Sequence, residues 1–389
     1  MWASLGALIL VISGLLPLSR AGIAIAKGTD VYLFLTGMML LSELARREGV
    51  FDWLASIAVA AAKGSRARLF GLVYLVGVAV TVFLSNDATA VVLTPAVYAA
   101  VKKARTTALP YLYICAFIAN AASFVLPISN PANLVVYGKN LPPLMAWLRT
   151  FLLPSIFSIV ATYVALRWIL RKDLEGKVDD GSEPSRLSKE GHLAAWGIAG
   201  TGAILIGASA FGLDLGLPTC LAAIVAVLVV TRARGGAMVE IVKSVSWSVL
   251  PLVAGLFVLV ESLNREGALQ AVSGAFEWCA ALPQLAGSLA ASFGIAALSN
   301  LMNNLPSGLL AGGALQSMHA PGHIRDSVLI GVDLGPNLSV TGSLATVLWL
   351  IALRREGEQI SGWEFLKAGL VVMPPALLFA TLAVSLLAK

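Results

Sequence analysis

The stretch Phe83-Leu84-Ser85-Asn86-Asp87-Ala88-Thr89-Ala90 lies between two apolar runs, 69–84 and 91–101. A Ser-Asn-Asp triplet does not suit a helix that faces lipid, because one aspartate alone costs about 2.5–3.5 kcal/mol at a bilayer centre on insertion scales. Ser and Asn also draw the backbone away from helix by hydrogen-bonding to it. The triplet therefore reads as a hairpin tip or an unwound helix that lines protein or water. The alternative is a buried polar network that only locks helices together. Three more breaks follow the same scheme. Leu126-Pro127-Ile128-Ser129-Asn130-Pro131-Ala132-Asn133 carries two prolines, each of which removes an amide donor and disfavours helix before it; the plain alternative is an interhelical turn. Ser299-Asn300-Leu301-Met302-Asn303-Asn304-Leu305-Pro306-Ser307-Gly308 is the third break, and Gly331-Val332-Asp333-Leu334-Gly335-Pro336-Asn337-Leu338-Ser339-Val340-Thr341-Gly342-Ser343 is the fourth.

The composition around these breaks admits one class of protein. Of 389 residues, 58% are hydrophobic and 12% charged, against about 45–50% and 25% in soluble domains. A soluble fold could not hide that much apolar surface, and a disordered chain needs the opposite balance. There is no collagen period and no charged heptad, and the apolar runs are continuous where a membrane β-barrel would alternate. An all-α polytopic membrane protein remains, with room for roughly ten to twelve crossings at about 20 residues each. The run Trp2–Leu18 lacks a basic region before it and reads as a retained span, not a cleaved signal peptide. The net charge of +6 belongs to cytoplasmic loops in such a protein and argues for no nucleic-acid partner. Cys115, Cys220 and Cys279 form no C-x-x-C pair, which leaves neither a disulfide framework nor a zinc site. His319 and His323 are separated by Ala320-Pro321-Gly322, which breaks any helix, so they read as loop residues and no metal is expected. No Gly-x4-Gly-Lys-Ser/Thr is present, so the chain itself does not hydrolyse ATP. No enzyme chemistry, catalytic residue or cofactor is expected.

Internal repetition organises the chain. Glu43-Leu-Ala-Arg-Arg47-Glu48-Gly49 recurs as Glu261-Ser-Leu-Asn-Arg265-Glu266-Gly267 at an offset of 218, which also carries Gly37 onto Gly255 and Ser85-Asn86 onto Asn303-Asn304. At an offset of 213, Ile128–Asn133 falls on Thr341–Thr346 and Asn120 on Asp333. The expected division is a first repeat with the N-terminal helix over 1–171, a polar linker over 172–191 and a second repeat over 192–389. Repeats with an odd number of crossings must be inverted, and inverted repeats with re-entrant hairpins and broken helices are a secondary-transporter arrangement. Within each repeat, Glu43 with Arg47 and Glu261 with Arg265 have i,i+4 spacing and read as scaffold ion pairs near helix ends. The mixed-charge linker, with basic residues at 171, 172, 177, 186 and 189, is expected in the cytoplasm.

Two breaks per repeat would bring helix ends, amides and hydroxyls to one site at the bilayer midplane. The substrate-binding candidates are Ser85, Asn86, Asp87, Ser129, Asn130, Asn133, Asn303, Asn304, Thr341, Gly342 and Ser343. Asp87 and Asp333 are the proton-coupling candidates, since a carboxylate among apolar residues has its charged form disfavoured. For Asp333 the competing reading is a cap on the helix after Gly335-Pro336.

The motifs Asn303-Asn304-Leu305-Pro306, Gly331-Val332-Asp333-Leu334-Gly335-Pro336 and Gly342 through Leu350 closely resemble the arsenite/antimonite efflux permeases of the ArsB type. So does the closing segment from Ile360-Ser361-Gly362-Trp363 through Pro374. In the first half, Ser85-Asn86-Asp87 and Ser129-Asn130-x-x-Asn133 resemble the paired signatures of the same ion-transporter superfamily. The resemblance runs over nearly the whole chain from about residue 30. One departure is that the family usually begins with an additional spanning helix before the one that Trp2–Leu18 resembles. The resemblance implies a multi-pass protein of the cell (inner) membrane that exports As(OH)3 or Sb(OH)3 from the cytoplasm by proton antiport. It also implies two candidate protein partners: a soluble ATPase subunit, used by some relatives, and a second copy in a homodimer, as in many superfamily members. Besides these, the partners are arsenite or antimonite, protons and the lipid bilayer.

The residues agree with an uncharged or cationic cargo. The four breaks hold Asn, Ser, Thr, Asp and Gly and no Lys or Arg, whereas an anionic cargo would want a cation or several free amide ends. Arsenous acid presents three hydroxyls that donate and accept, which suits Asn amides and Ser/Thr hydroxyls. One proton entering across 100 mV releases about 2.3 kcal/mol, enough to hold a neutral solute gradient of roughly 40-fold. The nearest rival is a sodium/proton antiporter of the same superfamily. A passive channel is a further alternative. An intramembrane aspartyl protease using Asp87 and Asp333 is remote, because Gly-Val-Asp-Leu-Gly replaces the Gly-x-Gly-Asp such a site would show.

Overall fold

The computed structural model describes residues 2–179, 185–232 and 235–387; Asp180 and Glu183 of the expected linker lie outside them. In chain order the helices are α1 (Trp2–Ile12), α2 (Leu18–Lys27), α3 (Thr29–Arg47), α4 (Val50–Ala61), α5 (Arg66–Phe83) and α6 (Asn86–Ala88). A π turn at Thr89–Leu93 carries α6 into α7 (Thr94–Lys103), and α8 (Leu109–Ala121), α9 (Pro131–Tyr137) and α10 (Leu144–Ile169) follow. After α11 (Lys189–Ala210) come α12 (Gly216–Thr231), α13 (Gly235–Ser244), α14 (Val249–Arg265), α15 (Ala268–Ala281) and α16 (Gln284–Met302). The chain closes with α17 (Asn304–Ser317), α18 (Gly322–Leu334), α19 (Leu344–Arg355) and α20 (Gly362–Leu387). Among the described residues the only β feature is an isolated bridge between Ser65 and Lys177. Six described helical runs, one of them α13 and α14 taken together, are long and apolar enough to cross a membrane, and a seventh crossing is available if α2 and α3, bent by 51° at Gly28, count as one. The all-α membrane architecture read from composition is therefore present.

Helix lengths reproduce the repeat. α10 and α20 are both 26 residues and start 218 apart, while α8 and α18 are both 13 residues and start 213 apart. The pairing also reaches further toward the N-terminus than the motifs did, matching α1 with α12 and α2 with α13, and it leaves α11 unpaired between the two sets. Packing is exchanged between the sets as an inverting two-fold requires. α1 lies on α14, with Ser4 Oγ donating to Pro251 O at 2.9 Å, and its counterpart α12 lies on α3, with Gly216 N donating to Asp30 Oδ1 at 2.7 Å. The repeated glycines are points of close approach. A Cβ on Gly37 would come within 2.7 Å of the Thr219 backbone, and one on Gly255 within 2.9 Å of Ser4 Cα.

The same exchange overrides the intrahelical ion pairs expected from i,i+4 spacing. Glu43 bonds Arg46, one residue short of Arg47, while Arg47 reaches across to Glu240 on α13. Glu261 pairs with Lys27 of α2 at 3.2 Å, and Arg265 donates to Leu15 O at 3.1 Å. Long side chains at the end of one helix find partners on the neighbouring helix that packs beside it.

Candidate functional site

Every one of the four breaks is a helix start with a side-chain cap. Ser85 Oγ accepts from Ala88 N at 3.1 Å, Asn130 Oδ1 from Ala132 N at 3.0 Å, Asn303 Oδ1 from Leu305 N at 3.3 Å and Ser343 Oγ from Thr346 N at 3.1 Å. Ser and Asn are the residue types that satisfy the orphan amides of a first turn, and Pro131 adds a first helical position that needs no donor. The polar residues that looked costly inside hydrocarbon are thus what allows the helices to restart there. The cap identities swap between repeats: Ser85 corresponds to Asn303, and Asn130 to Ser343.

The breaks meet at two adjoining cavities. A large one of about 770 Å³ lies between α3, α4, α6, α7, the 244–249 segment and α19, with Ser85, Asp87 and Pro131 at its inner end and Glu43, Arg46, Asp52, Arg355 and Glu356 toward its mouth. A recess of about 20 Å³ opens off the inner end and is bounded by Asn86, Asp87, Asn130, Asn304, Leu344 and Ala345. Asp87 faces both spaces. Its carboxylate has no hydrogen-bond or ion-pair partner among the described residues, and neither do the Asn86 amide nitrogen and the Asn304 side-chain amide. Buried polar groups normally find partners, so these three side chains are left able to bond a guest.

Beneath the recess most of the remaining polar side chains bond one another or nearby main chain, while Asn120 Oδ1 and Asn133 Oδ1 are buried without a partner among the described residues. Asp333 is fully buried and lines neither cavity; its carboxylate accepts from Ser123 Oγ at 2.7 Å and Asn130 Nδ2 at 2.9 Å. Asn120, its counterpart at the 213 offset, donates to Asn337 Oδ1 at 3.0 Å and Thr346 Oγ1 at 3.4 Å. Each half therefore reaches across to steady the cap of the other half's broken helix. Asp333 acts on Asn130, and Asn120 acts through Thr346 on Ser343. The fold makes Asp333 a brace for another helix's cap and not a cap on the helix that follows it.

A profile of the family described as Citrate transporter (CitMHS) matches residues 1–336. The chain belongs to that family. Within it, the chain is similar to the arsenical pump membrane protein of Escherichia coli, 29% identical over 98% of this chain and 91% of that protein. A putative arsenical pump membrane protein of Bacillus subtilis is 24% identical over 97% of this chain and 92% of its own length. In fold the chain resembles the Alcanivorax borkumensis YdaH transporter, with a TM-score of 0.58 and 16% identity over 94% of this chain and 86% of that one. The resemblance to arsenite/antimonite permeases read from the motifs is thus borne out across nearly the whole sequence, and the chain is a multi-pass membrane transporter of this family, in the cell (inner) membrane.

Of the residues singled out in the sequence, Asn86, Asp87, Asn130 and Asn304 share the recess, and Ser85 joins Asp87 in the large cavity. Ser343 lies directly beside the recess as the cap that precedes Leu344. Ser129, Asn133, Asn303, Thr341 and Gly342 line neither cavity. Asn133 Nδ2 instead binds Ser123 O at 2.9 Å and reaches Leu126 O and Pro127 O, folding the loop before α9 onto itself. Asn303 Nδ2 donates to Thr341 O at 3.3 Å, and Gly342 O accepts from Asn304 N at 2.8 Å, so these residues knit the two breaks of the second repeat together. The supporting groups Ser123, Asn300, Asn337 and Ser339 were not singled out. Asn300, Asn337 and Ser339 lie within the quoted breaks, and Asn120 carried its repeat offset to Asp333, whereas Ser123 had no signal.

Proposed function

We propose that this transporter exports arsenite or antimonite, as the uncharged trihydroxides, in exchange for protons, and that Asp87 carries the proton. The supporting observation is the convergence of three unspent side chains, Asn86, Asp87 and Asn304, from both repeats onto one recess that contains no Lys or Arg. Asn amides donate and accept, which matches a solute with three hydroxyls. The family description points to citrate, and four helix starts gathered in one place do favour negative charge. Here, however, the caps already occupy first-turn amides, and the unpaired Asp87 carboxylate would repel a tricarboxylate. The guanidiniums of Arg46 and Arg355 stand at the mouth, with Arg46 bound to Glu43.

In the same proposal the repeats run over 2–169 and 216–387 with α11 as the single crossing between them, and the large cavity opens to the cytoplasm. Loops holding Lys102, Arg105, Arg66 and Lys177 are tied to one another and to Glu358 and Asp179 on the face where Arg355 borders the cavity mouth. The opposite face holds few basic residues, among them Lys27, Arg265 and Arg325. That asymmetry is the positive-inside pattern. The deciding experiment uses everted vesicles. An acid-inside pH gradient drives arsenite accumulation without sodium, and Asp87→Asn abolishes it. Sodium movement with no response to arsenite would overturn the substrate, and arsenite flux indifferent to the pH gradient would overturn the antiport.

A further inference from the structure

Between α5 and α10 lies a cavity of about 590 Å³ remote from the four breaks. Gly71, Leu72 and Leu75 form one wall, and Ile159, Val160 and Tyr163 form the other. It opens sideways: Leu75 is 64% and Val160 52% exposed, on helices that both qualify as membrane spans. Tyr74 donates to Ile159 O at 2.6 Å, so its hydroxyl is spent. At one end stand Arg68, in the first turn of α5, and Arg167, in the last turn of α10. Neither meets a carboxylate among the described residues. Arg68 has no side-chain partner there, and Arg167 reaches only Ala67 O at 3.5 Å and Tyr163 Oη at 3.4 Å. The acids of the next turn, Asp173 and Glu175, turn their main-chain oxygens to Arg66 instead. From Arg68 the groove descends to Leu75, about 10 Å along the helix.

The repeat shows that this opening is not a by-product of the architecture. In the second half, α16 and α20 are closed together by Thr381 Oγ1 to Ser292 Oγ at 3.1 Å and Gln284 Nε2 to Ser385 O at 2.7 Å. At the 218 offset, Ala286 and Ser385 stand where the first half has Arg68 and Arg167, and Leu289 fills the place of Gly71. Among the described residues, the first half alone combines an open apolar groove with two guanidiniums at its head that meet no carboxylate.

We propose that this groove binds one anionic phospholipid, its phosphate held by Arg68 and Arg167 and an acyl chain laid along the apolar walls. Guanidinium forks match phosphate oxygens, and basic pockets between spans at the membrane surface select anionic headgroups. Sequence position supports the choice of leaflet, because Arg171 and Lys172 follow on the same face.

The test is native mass spectrometry of the full-length detergent-purified protein titrated with phosphatidylglycerol or phosphatidylcholine of identical chains. Wild-type protein should retain one phosphatidylglycerol with a preference of at least about tenfold, and the R68Q/R167Q variant should lose that preference. R68K/R167K, which keeps both charges, should recover most of it. Gly71→Leu, which fills the groove and spares the arginines, should weaken retention of both lipids. Millimolar inorganic phosphate should not displace the lipid; if it does, the site reads free phosphate and the phospholipid assignment falls. Equal retention of the two lipids by wild type overturns the proposal, as does unchanged preference in folded R68Q/R167Q. Should that variant fail to fold, unaltered lipid binding by Gly71→Leu overturns it. Because the readout is lipid, a wrong cargo assignment would leave this result untouched.

Discussion

The hairpin break of the first repeat and its counterpart in the second are built alike and used differently. At Ser85 the backbone is extended, an acid follows two residues later, and a π turn at Thr89–Leu93 interrupts the outgoing helix beside the large cavity. At Asn303 the backbone sits at φ +80°, a strained value for a residue with a side chain. There the outgoing helix is regular from Asn304 to Ser317. The second break is also bound down by hydrogen bonds: Ser339 Oγ to Asn300 Oδ1 at 2.6 Å, Thr341 Oγ1 to Asn300 O at 3.1 Å and Asn300 Nδ2 to Gly335 O at 2.9 Å. A π turn is a one-residue insertion often found where function needs it. Duplication supplied one scheme twice; charge and irregularity then collected in the first copy, and a fixed hydrogen-bonded floor in the second.

The largest test of this division is Asp87→Asn, which should reduce pH-driven arsenite accumulation in everted vesicles to the level of protein-free vesicles. Appreciable remaining coupling would place the proton elsewhere. Next is Asp333→Leu, which strands one buried donor, Asn130 Nδ2, and leaves Ser123 Oγ only Asn120 O as acceptor. A buried donor left without a partner costs about 1–3 kcal/mol, so the unfolding temperature in detergent should drop clearly. Asp333→Asn keeps an acceptor and should lose less; equal stability of the Leu variant would remove Asp333 from its bracing role. Asn304→Ala deletes the second repeat's proposed hydrogen-bonding partner for the cargo. At about 0.5–1.5 kcal/mol per bond, KM for arsenite should rise roughly 2- to 13-fold with the maximal rate retained. An unchanged KM would mean that the second repeat contributes only the floor. Smallest is Lys27→Ala, which breaks an exposed pair with Glu261. Exposed pairs are worth about 0–1 kcal/mol, and stability should shift by no more than that.

Much of this organisation was legible because membrane physics punishes polar residues so heavily. Ser85-Asn86-Asp87 and Asn130-Pro131 read most directly as breaks, and each proved to be a capped helix start. The ion pairs were not legible: Glu43 and Arg47 have the right spacing within one helix, yet Arg47 is claimed by Glu240, nearly two hundred residues away. Which asparagines face the recess was equally hidden. Asn130 caps α9 and Asn133 follows one turn later, but the Asn133 amide nitrogen is taken by the loop carbonyls behind it.

The chain alone determined that it lies in a membrane, that it repeats, and where its helices stop, because burial in hydrocarbon constrains every residue regardless of its neighbours. Tertiary structure decided which polar groups are spent and which are left over. That outcome depends on what each donor and acceptor meets from the other half of the molecule, a distance no local pattern encodes.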